Sequence, residues 1–95
     1  MAGQNIQDQL ISLVRRDFQS AGDALAAVIA ATTAIGEAWS ALDISDSQGR
    51  LLVRKWLEEL WRGVSKIATD FGAEGFSVEV ASRGHISVRF DWRVE

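Results

Sequence analysis

The sequence has no cysteine, no proline, no tyrosine and a single histidine in 95 residues. Without cysteine there is no disulfide, no thiolate nucleophile and no thiolate metal ligand, and the redox compartment leaves no mark on the chain. Without proline, glycine is left to punctuate the elements. One histidine among scattered carboxylates offers no transition-metal ligand set, so no metal is expected. A basic stripe is missing too. The formal net charge is −3, and residues 1–49 hold Arg15 and Arg16 against Asp8, Asp17, Asp23, Glu37, Asp43 and Asp46. An acidic chain of this kind is poorly suited to a phosphate backbone, and no direct nucleic-acid contact is expected.

The N-terminal MAGQNIQDQL shows neither the basic start nor the apolar centre of a signal peptide. The longest uncharged run, Ala24 to Gly36, is thirteen residues and mostly alanine. A membrane span needs roughly 20 strongly apolar residues, so this run reads as a buried helix. The expectation is a cytoplasmic protein with no membrane contact.

What is present is enough apolar surface to fold. A hydrophobic share of 47% and a charged share of 24% are ordinary for one globular domain, here 1–95, near the lower size limit for a single core. From Ile11 the apolar positions keep a 3-4 rhythm through Val14, Phe18, Ala21, Leu25, Val28, Thr32, Ile35, Trp39 and Leu42. That rhythm predicts helix over about 5–43. Ser20-Ala-Gly-Asp23 reads as an N-cap with an acidic residue three places on, which would restart the helix. An unbroken helix would be about 55–60 Å long, too long for the later helix to cover, so a break near 20–22 is preferred. Ala26, Ala30, Ala34 and Ala38 add a ridge of small side chains beside the stripe, suited to a close neighbour inside the fold or in a second copy.

A polar connector, residues 43–49, precedes a second helix over 47–71. The connector fails as a calcium loop. If Asp43 is its first position, Gln48 stands where glycine is needed and Arg54 where a bidentate glutamate is needed. The helix carries a stripe of Leu52, Trp56, Leu60, Val64, Ile67 and Phe71, with Leu57 and Trp61 at its flanks. Its charged face invites i, i+4 pairs, Lys55 with Glu59 and Glu58 with Arg62. Glycines 72 and 75 then end the helix and turn the chain.

The remainder alternates with period two and predicts an antiparallel hairpin, 75–81 and 85–94. A three-residue loop, Ser82-Arg83-Gly84, sets a register pairing Ala81 with His85, Val80 with Ile86, Val78 with Val88 and Phe76 with Phe90. All apolar side chains then share one face. In that register residues 91–95 pass beyond the first strand and lack a partner, leaving an open edge. The fold class is α+β, two or three helices packed on a C-terminal hairpin.

No set of residues converges for chemistry. His85, Ser87 and Asp91 share a strand face but span about 20 Å, too far for a triad. Adjacent Glu58 and Glu59 diverge on their helix, and the eight glycines match no phosphate-binding pattern. No catalytic residue and no cofactor are expected. Interaction features are better represented. Four tryptophans is generous for this length, and tryptophan beside arginine is common at binding hot spots. The candidate interface is Arg89, Asp91, Trp92, Arg93 and Val94, with Trp61.

A helical hairpin with a tryptophan at mid-chain is similar in layout to the small WXG-type secretion substrates. Here Trp39-Ser40-Ala41 lacks the glycine, and the terminal hairpin has no counterpart in that family. The segment GHISVRFDW, residues 84–92 alone, resembles the final strand of some small bacterial immunity proteins. The expectation from the residues is a protein-binding domain without catalysis, most concretely a small acidic inhibitor of the immunity, antitoxin or phage anti-defence kind. A homodimer or higher oligomer is expected. The alternatives are a self-assembling structural module and a helical domain that holds a small ligand.

Overall fold

A computed structural model of the chain describes residues 2–41, 47–82 and 85–92. Three helices, α1 (Ala2–Arg15), α2 (Ala21–Ala41) and α3 (Ser47–Asp70), precede two strands, β1 (Gly75–Ser82) and β2 (His85–Asp91). The strands form an antiparallel two-stranded sheet, so the architecture is α+β.

The long N-terminal helix is broken, over residues 16–20 and slightly before the expected point. The cap is where the sequence places it. Ser20 Oγ accepts a hydrogen bond from the Asp23 backbone N–H at 3.1 Å, and the Ser20 carbonyl accepts from Ala24 N–H at 3.1 Å. Asp23 lies in the first turn of α2, where a negative charge suits the helix dipole. The buried stripe differs from the expected one on both helices. α1 buries Ile6, Leu10 and Leu13 and leaves Ile11 exposed; α2 buries Ala24, Val28, Ala31 and Ile35 and leaves Leu25 exposed. Val28 and Ile35 are where the sequence places them, whereas Leu10, Leu13, Ala24 and Ala31 each take the place of the next residue along the chain.

The third helix buries Val53, Trp56, Leu60, Val64 and Ile67, with Val53 in the place expected for Leu52 and Phe71 only half-buried. It stands between two neighbours. Gly63 and Trp61 are two residues apart and so point to nearly opposite sides of the helix. A side chain added at Gly63 would bring its Cβ to 2.5 Å from Leu13 Cβ, so α1 is seated almost on the α3 backbone there. Trp61 instead packs on Phe76 of β1, with ring centroids 5.2 Å apart. The helix ends in a Schellman motif. Gly72 has φ +73°, and its N–H donates to Thr69 O at 3.3 Å while Ala73 N–H donates to Ala68 O at 2.8 Å. The expected pairs on the charged face are replaced by Arg54–Glu58 and Arg62–Glu59, each at 3.2 Å, and Lys66–Asp70 at 2.7 Å. These pairs are largely solvated, so each contributes at most a few tenths of a kcal/mol and the choice among them is cheap.

The hairpin register agrees with the sequence from Phe76↔Phe90 to Val80↔Ile86 and departs at the turn end. Ser82 is paired with His85 across an irregularity between Val80 and Ser82, so Ala81 is the extra residue rather than the partner of His85. At the other end Asp91 is paired with Gly75, and its carbonyl accepts from Glu74 N–H at 2.8 Å. Asp91, expected to be unpaired, thus has a partner, and residues 93–95 of the expected overhang lie outside the described residues. Phe76, Val78, Ile86, Val88 and Phe90 pack on the helical core, β2 against α2 and β1 against α3.

With principal extents of 47 × 24 × 16 Å the molecule is a thin slab, and a helix with its side chains is already about 10–12 Å across. Few elements can be covered all round in such a shape. That corrects the reading of Ala24–Gly36 as a buried helix: α2 buries one stripe, but Leu25, Ala26, Ile29, Ala30 and Thr33 face outward. By length and composition α2 could cross a membrane, as core helices of soluble proteins also could, and 28% of its apolar window is buried.

The glycine contact yields a stability test. Gly63→Ala should lose roughly 1–3 kcal/mol by urea denaturation, because the overpacking against Leu13 outweighs the helix propensity of alanine. Gly22→Ala, whose new Cβ would meet nothing nearer than Ser20 Oγ at 3.8 Å, should be neutral or gain up to about 1 kcal/mol. Ser20→Ala should cost about 1 kcal/mol through the lost cap.

Candidate functional site

The apolar face of the hairpin places large rings in a row. Phe76 and Phe90 are cross-strand partners, Trp61 of α3 lies against Phe76, and Trp92 lies 6.0 Å from Phe90 with the planes tilted by 34°. Alternation makes this possible, since residues 90 and 92 leave the strand on one side. The sequence places Trp61 and Trp92 in one candidate interface without a reason for their proximity, and the two phenylalanines supply it. The inner rings are half-buried, whereas Trp61 is 54% and Trp92 42% exposed. Trp61 is thus about half exposed, as its place at the flank of the stripe suggests.

Arg89 and Asp91 stand on the opposite face of β2 and pair with each other at 3.2 Å. Both are exposed, so the pair is solvent-screened and leaves the aromatic face uncharged. Arg93 and Val94, the other two expected interface residues, lie outside the described residues.

Beside the aromatic row runs a groove that the sequence did not reveal. It lies between α2 and β2, encloses about 480 Å3, and is lined by Leu25, Val28, Ile29, Thr32, Thr33 and the strand residues 86–88 and 90. No charged side chain is among its described walls. Ile29 is 64% exposed at its rim. The polar hydroxyl of Thr32 is turned inward on the helix, donating to Ile29 O at 2.9 Å. Phe90 belongs to the groove and to the aromatic row alike, so Ile29, Leu25, Phe90 and Trp92 form one continuous apolar surface. The only sequence signal was an apolar helix wider than one stripe, which also describes a central core helix.

His85 is exposed, and it shares a shallow groove of about 430 Å3 with Glu37 and Ser40 of α2. The sequence had set it beside Ser87 and Asp91 only. Among the described residues no three His, Asp or Glu side chains are grouped as a metal site would require.

A third cavity lies between the C-terminal half of α2 and the start of α3. Trp39, Arg50, Val53, Arg54 and Leu57 line about 350 Å3. Trp39 Nε1 is itself buried and has no hydrogen-bond acceptor among the described residues, a condition that typically costs about 1–3 kcal/mol.

No family model matches the chain, and no curated protein or solved structure is similar to it. The reading of function therefore rests on this surface alone.

A double-mutant cycle tests whether the aromatic row is energetically coupled. Trp61→Ala combined with Phe76→Ala should show an interaction energy of about 0.5–1.5 kcal/mol in urea denaturation. Additive losses would mean that Trp61 rests on the hairpin without holding it.

Proposed function

We propose that this chain is a non-enzymatic protein-binding module, in its most concrete form a small acidic inhibitor that occludes a partner protein in the cytoplasm. The observation that carries the reading is the continuous apolar surface from Ile29 and Leu25 through Phe90 to Trp92. Large apolar residues exposed together on a small domain favour a macromolecular partner, because covering them releases water at about 25 cal/mol per Å2. Tryptophan at the end of such a surface is a frequent anchor. An inhibitor needs only shape and charge on its surface and no chemistry of its own. The acidic charges of residues 1–49 would steer it toward a basic surface on its target.

Self-assembly is the second reading, favoured by one detail. Ala26 and Ala30 are exposed on α2, and small side chains allow another helix backbone to approach closely. A second copy could lay its own α2 there and cover Leu25 and Ile29 on both chains. The open sheet edge past Asp91 would add to the same seam.

One pair of substitutions separates the readings. Leu25→Asp with Ile29→Asp should leave the fold intact, as an unchanged circular-dichroism spectrum would show, because Ile29 is 64% exposed and Leu25 lies at the margin of the covered face at 37%. In sedimentation velocity, a self-assembling module should run above its 10.4 kDa monomer mass as wild type and at that mass as the variant. An inhibitor should run as a monomer in both forms, and the variant should lose a partner that the wild type retains through purification. A monomeric wild type whose partner binding is unchanged by the substitutions would overturn the surface assignment.

A further inference from the structure

The cavity at the α2–α3 junction has a chemistry different from the exposed surface. Its walls are almost wholly apolar, formed by Trp39, Val53 and Leu57, and the two remaining lining residues are both arginines. Arg50 and Arg54 are four residues apart on α3, so they lie one above the other on the same face of the helix. Arg54 Nε donates to Glu58 at 3.2 Å, whereas Arg50 has no ion-pair partner among the described residues. Among the described residues no carboxylate lines the cavity. At about 350 Å3 it is at the small end of the range for ligand sites, which run from about 300 to 1,000 Å3.

We propose that this slot binds a small anionic amphiphile, a medium-chain carboxylate whose apolar chain lies along Trp39, Val53 and Leu57 and whose head group meets Arg50 and Arg54. Guanidinium groups match a carboxylate in geometry as well as charge, forming parallel N–H···O bonds. The apolar walls select for a chain, since a small polar anion would leave them in water. The site is independent of the α2–β2 surface, with which it shares no lining residue.

The probe is decanoate, titrated below its micelle concentration into uniformly 15N-labelled protein. The indole cross-peak of Trp39, assigned with Trp39→Phe, should shift in a saturable manner, while those of Trp61 and Trp92 stay in place. Decyltrimethylammonium, with the same chain and the opposite charge, should produce no such shift. Arg50→Ala with Arg54→Ala should raise the apparent Kd for decanoate at least tenfold, with an unchanged thermal transition showing that the fold is retained. No saturable shift at Trp39, equal binding of the cationic amphiphile, or an unchanged Kd in the double variant would each overturn the proposal. The Leu25→Asp/Ile29→Asp variant should bind decanoate as the wild type does, so failure of the protein-binding reading would leave this result standing.

Discussion

The distance between α1 and α3 is set by a side chain that is missing. At Gly63 the α3 backbone lies so close to Leu13 that even a methyl group would collide with it. Seating α1 this deeply lets three short buried residues, Ile6, Leu10 and Leu13, reach the stripe of Val64, Leu60 and Ile67. In a small domain the buried fraction of surface is low, and close approach compensates by packing backbone against side chain. The remaining elements take their places around this contact. With α1 occupying one side of α3, the hairpin is left the other, where Trp61 meets Phe76.

That arrangement has a consequence for α2. It is the most apolar helix, yet the slab shape leaves it only one neighbouring face to fill. Ile29 remains in solvent and Leu25 is partly exposed, and β2 runs beside them without closing over. An exposed apolar surface costs solubility, and its retention beside an aromatic row is the physical basis for reading it as a contact surface. The apolar slot at Trp39 differs in carrying two arginines among its described walls.

Much of the architecture was legible in the residues. Serine followed by aspartate three places on marked the start of α2 at Ser20, and glycine after the last apolar turn marked the end of α3 at Gly72. Period-two alternation placed Phe76 opposite Phe90 and Val78 opposite Val88. These signals are local, acting between residues a few positions apart or across one turn. The stripe phase was misread because apolar residues stand side by side at Leu10 and Ile11 and at Ala24 and Leu25, so two neighbouring 3-4 series fit the same sequence. The extra residue at Ala81 escaped because a three-residue loop and a shorter loop with a bulge fit the same alternation. Of the candidate site, Trp61 and Trp92 were found by residue type, and the groove beside them was not.

The sequence by itself determined the element types and the hairpin register, since capping, periodicity and alternation are encoded over one or two turns of chain. Tertiary structure alone decided which apolar face of α2 is covered, that Gly63 receives Leu13, and that Trp61 joins Trp92 through two phenylalanines. Those outcomes depend on how separate helices rotate and approach one another. Packing of side chains far apart in the chain sets that rotation, and no local pattern records it.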